Sequence, residues 1–170
     1  FQVAKLALVG LSYKLADVVD GLFGYKLGFC RSLKSAAVMS GAVYKCFKNP
    51  NNKELLRWMK DEEVDLVVSF SAPCVFEKDL LELPTLGCIN LHCSLLPKFP
   101  GLLPSFWVLY EKEKIIGATV HMMDTKIDNG GILGQVELKM PTPATMLSVI
   151  NATKEAGGVL MASTVENLVK

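Results

Sequence analysis

The stretch CINLHCSLLPKFPG, residues 88–101, places Asn90, His92 and Ser94 at alternate positions at the end of an apolar run. In a strand successive side chains point to opposite faces, so these three share one face while Ile89, Leu91 and Cys93 share the other. A carboxamide, an imidazole and a hydroxyl then converge where the strand ends. Each carries a desolvation cost unless it finds partners, which a strand serving only a core has little reason to accept. The carboxamide can donate hydrogen bonds and the imidazole titrates near neutral pH. Ser94 reads as hydrogen-bonding support and not as a nucleophile, because the sequence places no base for it. The other histidine, His121, stands with Asp124 and Asp128 in VHMMDTKIDNGGIL, so the polar chemistry is concentrated in two segments, 90–94 and 121–128.

A packing role competes at each position. Asn90 can cap a turn, His92 can be a core histidine with satisfied hydrogen bonds, and Asp128, followed by Asn129 and Gly130, has the sequence of a turn. His121 reads as a structural or supporting residue, Asp124 as a loop former, and Phe106, Trp107, Met122 and Met123 as core or cavity wall. Cys88, His92 and Cys93 make a poor metal set, since Cys93 points away from His92 on a strand and no second cluster supplies ligands. No metal is expected.

The elements that must hold these residues alternate along the chain. KLALVGL, AVYKCFK, VDLVVSF and LGCINLHC read as strands. Helices are predicted around Leu15–Phe23 and Phe29–Met39, and in ELLRWMKDEE, with Asn51 and Glu54 as a capping box and Leu55, Leu56 and Met59 on the buried side. Further helices are predicted in EKDLLELP, ended by Pro84, and in PSFWVLYEKEK after Pro104. IIGATVHMM and ILGQVELKM form a hairpin-type pair closing the sheet edge around DTKIDNGG. A last helix is expected to start at Thr142-Pro143, with Leu147, Ile150, Met161, Val165 and Leu168 as its apolar stripe and a kink at Gly157 and Gly158. The pattern implies an α/β fold, an open, mostly parallel Rossmann-like sheet flanked by helices. Ligands of such sheets bind beyond the carboxyl ends of the strands, where His92 and Ser94 fall.

Composition narrows the function. The 170 residues, 51% of them hydrophobic, suit one domain spanning 1–170. A net charge of +1 offers no pull toward nucleic acid or an acidic membrane, so a small-molecule ligand is expected. Five cysteines without a CxxC pair indicate reduced thiols and a cytoplasmic location. No apolar run reaches the roughly 18 residues of a membrane span, and the start lacks a signal-peptide layout. No G-x-G-x-x-G follows a strand, which weakens a dinucleotide-binding reading. Phe1 stands where a methionine is usual, so truncation or processing ahead of it is expected.

The two segments together, N-x-H-x-S-L-L-P-K-x-P-G and G-A-T-V-H-x-M-D-x-x-I-D-x-G-x-I-L-x-Q, resemble the folate-dependent formyltransferases. That catalytic domain is shared by glycinamide ribonucleotide transformylase, methionyl-tRNA formyltransferase, sugar-amine formyltransferases and formyltetrahydrofolate hydrolase. The resemblance covers Asp65 to Gln135. It implies an enzyme of one-carbon metabolism that transfers a formyl group from 10-formyltetrahydrofolate to an amine acceptor, a sugar amine or related small metabolite. Methionyl-tRNA and glycinamide ribonucleotide stay open as acceptors. Its rivals are a 10-formyltetrahydrofolate hydrolase and a non-catalytic folate-binding fragment. By position, Asn90, His92 and Asp128 stand where the family has its catalytic residues. Ser71, Ala72, Cys74 and Phe76, with Met123, Asp124 and Thr125, stand where it holds the pterin ring. The reaction needs a donor aimed at a tetrahedral oxyanion and groups that move a proton, with Asp128 expected to raise the pKa of His92.

Departures are also visible. No glycine-rich phosphate loop occurs in residues 1–41, and the barrel domain of the tRNA enzyme is absent from the sequence. KFPG resembles the glycinamide ribonucleotide type, whereas LLPSFW resembles the sugar and tRNA enzymes. A lacking or altered first strand would leave the sheet edge near KLALVGL uncovered and favour a homo-oligomer.

Overall fold

The fold is organised around VDLVVSF, whose nearly continuous apolar run suits a strand covered on both faces. A computed structural model describes residues 6–10, 33–72 and 74–170, and its sheet has the order β1 (Leu6–Gly10), β2 (Leu66–Phe70), β3 (Cys88–His92), β4 (Ile115–Met122) and β5 (Ile132–Lys139). β1 and β3 flank β2 in parallel, while β4 runs antiparallel to β3 and β5 antiparallel to β4. The expected hairpin pair therefore closes one edge, and β1 lies at the other.

Two helical layers follow from the alternation in the strands. Val67 and Cys88 face α2 (Lys53–Asp61) and α3 (Lys78–Leu81), packing with Leu55, Met59, Phe76 and Leu80. Leu66, Val68, Ile89, Leu91, Ala118 and Val120 face the opposite layer, where Met161 of α5 (Met146–Leu168) packs on them. α1 (Leu33–Ser40) overlaps the predicted Phe29–Met39 segment, and α4 (Pro104–Tyr110) starts at Pro104 and ends before the predicted EKEK. The helix expected over 15–23 falls outside the described residues. Among the described residues no helix is long and apolar enough to cross a membrane.

Several expectations are corrected. AVYKCFK forms no strand: Phe47 packs on the first core layer and Lys45 lies 4.8 Å above the Trp58 ring, so the segment runs over α2 instead of pairing. The cap of α2 is Asn52, whose side chain accepts from the Leu55 N–H at 2.7 Å, and not Asn51. α5 begins after Thr145, which forms a capping box with Ser148, and runs unbroken through Gly157 and Gly158. A Cβ at Gly157 would come within 2.8 Å of Leu91, so that glycine permits close packing on the sheet without kinking the helix. The buried stripe of α5 is Val149, Thr153, Gly157, Met161 and Thr164, while Leu147 is exposed. Phe106 and Trp107 are also largely exposed, forming an aromatic cluster with Tyr110 on the surface of α4.

Candidate active site

The carboxyl end of β3, where the parallel part of a mixed sheet meets the antiparallel pair, carries the candidate site. Asn90 and His92 project from β3 on the α2–α3 side and line a cavity of about 690 Å³, a size suited to a small-molecule ligand. Antiparallel pairing sets His121 opposite Asn90, at an irregularity in the β4–β5 ladder between Val120 and His121. Such bulges re-aim side chains beside sites. The strand face was legible in the sequence; the partner across from it was not.

The loop after β3 is anchored before it reaches the site. Thr119 Oγ1 accepts from the Leu96 N–H at 3.0 Å and donates to the Ser94 carbonyl at 2.7 Å, and Gln135 Nε2 donates to the Leu96 carbonyl at 2.7 Å. Ser94 Oγ donates to the Lys98 carbonyl at 2.7 Å, the supporting role expected of it. This anchoring presents two backbone groups to the site. The Phe99 carbonyl lies 2.8 Å from His92 Nε2, and the Gly101 N–H donates to Asp128 Oδ2 at 2.7 Å.

Asp128 reaches the strand end because its loop folds back, with Asp128 itself at φ 48°. Its Oδ2 lies 3.2 Å from His92 Nδ1 and its Oδ1 3.4 Å from His121 Nε2. One carboxylate thus bridges two buried imidazoles. His121 Nδ1 lies 2.7 Å from the Met122 carbonyl, and its Nε2 lies 3.3 Å from Asn90 Nδ2 as well as beside Asp128. His121 is therefore a member of the site that the sequence assigned only to a supporting role.

Backbone strain gathers around the same cavity. Ser71, Leu103 and Asp128, all lining it, have φ between 48° and 56°, a left-handed region costly for non-glycine residues.

Burial decides the protonation states. It holds the His92 imidazole below its ordinary 6.5, against the raising influence of the Asp128 charge and the Phe99 carbonyl. The sequence expectation of a raised value is thereby corrected: the carboxylate acts in the expected direction, but desolvation outweighs it. Burial also works to raise Asp128, yet the hydrogen bond with His121, the His92 charge and the Gly101 N–H together hold its carboxyl below the ordinary 3.8. At neutral pH the close His92–Asp128 contact is accordingly a neutral imidazole beside a carboxylate. The protonated ring has an acceptor at each nitrogen, so a proton gained there is held at both ends. Burial pushes the Cys88 thiol up to about 12 and also raises Cys93, leaving neither as a thiolate near neutral pH.

The remaining sequence candidates divide. Ser71, Ala72, Cys74, Phe76, Met123 and Asp124 line the cavity; Thr125 does not. Asp124 also shapes its loop, accepting from the Lys126 N–H at 2.7 Å. Across the end of β3 the wall consists of Cys93, Leu102, Leu103, Met146, Ile150 and Lys154. Met146, Ile150 and Lys154 recur every four residues along one face of α5, a pairing of helix and cavity that sequence periodicity alone did not identify.

Comparison with known proteins assigns the class. The formyl transferase family model matches residues 34–165, so the chain belongs to the formyl transferase family. The methionyl-tRNA formyltransferase of Clostridium perfringens is 32% identical over 145 residues, covering 85% of this chain and 47% of its own. The chain thus spans about half the length of the clostridial relatives it matches. Glycinamide ribonucleotide transformylase 1 from Geobacillus kaustophilus superposes with a TM-score of 0.77 at 19% identity, covering 99% of this chain and all of that one. The formyltransferase PseJ from Anoxybacillus kamchatkensis, solved with a UDP-linked formamido sugar and tetrahydrofolate, gives a TM-score of 0.66 at 21% identity over 97% of this chain and 76% of that one. These two share the fold.

Proposed function

We propose that this chain moves a formyl group from 10-formyltetrahydrofolate to the amine of a small-molecule acceptor, with Asn90, His92 and Asp128 as the reacting constellation. The observation that carries the reading is the convergence of a carboxamide, a neutral imidazole and a carboxylate at one cavity. Ser71, Ala72, Cys74, Phe76, Met123 and Asp124 form the wall assigned to the pterin ring. On this reading the remaining wall, with Met146, Ile150 and Lys154 of α5, is left for the acceptor.

The acceptor nitrogen attacks the formyl carbon, and the carbonyl oxygen gains charge as the tetrahedral centre forms. The Asn90 carboxamide, held with Nδ2 3.3 Å from His121 Nε2, donates an Nδ2 hydrogen to that oxygen. The proton that the attacking amine loses passes, directly or through water, to the His92–Asp128 pair and returns from it to the departing folate nitrogen as the carbon–nitrogen bond to folate breaks. The Phe99 carbonyl and Asp128 stabilise the imidazolium formed in between. Proton and leaving group balance without a metal or redox partner.

The test is a panel of sugar amines and other small amines with 10-formyltetrahydrofolate, following tetrahydrofolate release. Amine-dependent release supports the reading. Release without any amine would identify a hydrolase, and binding without release under every condition would identify a folate-binding module.

A further inference from the structure

Between β2 and α3 the chain from Cys74 to Glu77 belongs to no helix or strand, yet it supplies much of one cavity wall. Backbone groups in such a segment need partners from elsewhere. Asn51 provides them across the fold: its Nδ2 donates to the Val75 carbonyl at 2.9 Å, and its Oδ1 accepts from the Glu77 N–H at 2.9 Å. Bonding the carbonyl before and the N–H after one central residue is what a neighbouring parallel strand does to its partner. Here a single carboxamide takes the place of that strand, with Phe76 as the central residue.

The consequences fall on the wall. Phe76 is buried in the first core layer and also lines the cavity, while Val75 and Cys74 beside it face the opening. The clamp is itself braced. The Asn51 N–H donates to Asn49 Oδ1 at 2.9 Å, and Asn52, the next residue, caps α2. Only a carboxamide offers a donor and an acceptor together at this reach, since aspartate lacks the donor and alanine lacks both.

We propose that Asn51 is a positioning residue for the donor-binding wall, setting affinity for the folate cosubstrate without touching the reacting atoms. This rests on the assignment of that wall to the pterin ring under Proposed function.

Calorimetric titration of the full chain with tetrahydrofolate tests it. Asn51→Ala should raise Kd about tenfold, equivalent to about 1.4 kcal/mol, with the binding stoichiometry unchanged. Asn51→Asp, which keeps the acceptor for Glu77 and loses the donor to Val75, should raise Kd by a smaller factor. Asn52→Ala serves as the control: loss of the α2 cap lowers Tm but should leave Kd within about twofold. A generally destabilised protein would instead lose stoichiometry at constant Kd. Unchanged affinity in Asn51→Ala, or an equal loss in Asn52→Ala, overturns the proposal. Should Asn51→Ala fail to fold, an unchanged Kd in Asn51→Asp overturns it as well. If the unaltered chain binds no tetrahydrofolate, the folate assignment falls and takes the proposal with it; if it binds and the variants match it, only the role of Asn51 falls.

Discussion

Replacing Asp128 by asparagine removes a charge while keeping nearly every hydrogen bond around it. The carboxamide oxygen can take the place of Oδ2, accepting from the Gly101 N–H and lying beside His92 Nδ1, while its N–H₂ replaces the acceptor Oδ1 beside His121 Nε2, so that at most the His121 hydrogen bond is lost. Folded stability should therefore change by less than about 1 kcal/mol, the net worth of one hydrogen bond. The loss should fall on catalysis. Two unit charges about 4 Å apart in an effective dielectric of about 20 interact by about 4 kcal/mol, and that support for the imidazolium disappears. At about 1.4 kcal/mol per decade, turnover should fall by about 10³-fold. Three measurements separate the causes: thermal unfolding, calorimetric binding of tetrahydrofolate, and imidazole titration by NMR, which is simplified because the chain has only two histidines. Since the Asp128 charge raises the pKa of His92, its removal must lower that value further below 6.5. Near-normal turnover, or a His92 pKa that fails to fall, would reduce Asp128 to the turn residue suggested by its neighbours Asn129 and Gly130.

Asn90→Ala should lower turnover by about 10²- to 10³-fold while leaving tetrahydrofolate affinity nearly intact, as steady-state kinetics and calorimetry would show. Stability should depend on pH with a defined sign: both His92 and Asp128 have folded pKa values below their ordinary ones, so the unfolded chain binds protons first as pH falls. The His92 contribution is present above pH 6.5 and lost as pH drops through 6.5 toward its folded value. That of Asp128 is present above 3.8 and lost as pH falls through its own folded value. Tm measured across pH should begin to fall below about 6.5, and His92→Gln should remove this upper part of the decline. Gly157→Val should destabilise by about 1–3 kcal/mol through collision with Leu91 and Ala118, whereas Gly158→Ala, with open space around it, should stabilise by about 0.5–1 kcal/mol in denaturant titrations.

How far the sequence led depended on whether a feature was local. Alternation alone puts Asn90 and His92 on one face of a strand, and the turn formers of DTKIDNGG mark the link between β4 and β5. The function of Asn51 and Asn52 was not legible, because either asparagine can cap a helix and the choice was made by Val75 and Glu77, more than twenty residues away. His121 was undervalued for a similar reason. Its role depends on the β3–β4 register that sets it opposite Asn90 and on the fold-back of the Asp128 loop. The sign of the His92 shift required three-dimensional burial, since sequence shows the neighbouring carboxylate but not the desolvation opposing it. The exposed Phe106 and Trp107 illustrate the limit of composition: large aromatic residues read as core or cavity wall, and the orientation of α4 leaves them on the surface and out of the cavity lining.

We propose that formyl transfer takes place where Asn90, His92 and Asp128 meet. It is tested most directly by following the carbon itself, with 10-formyltetrahydrofolate labelled with ¹³C at the formyl group, a panel of amines, and NMR detection. The label should move from the folate to the formamide of an accepted amine, and should do so about 10²- to 10³-fold more slowly when the chain carries Asn90→Ala. Label released only as formate regardless of amine, or transferred equally well by the Asn90→Ala chain, would contradict the account.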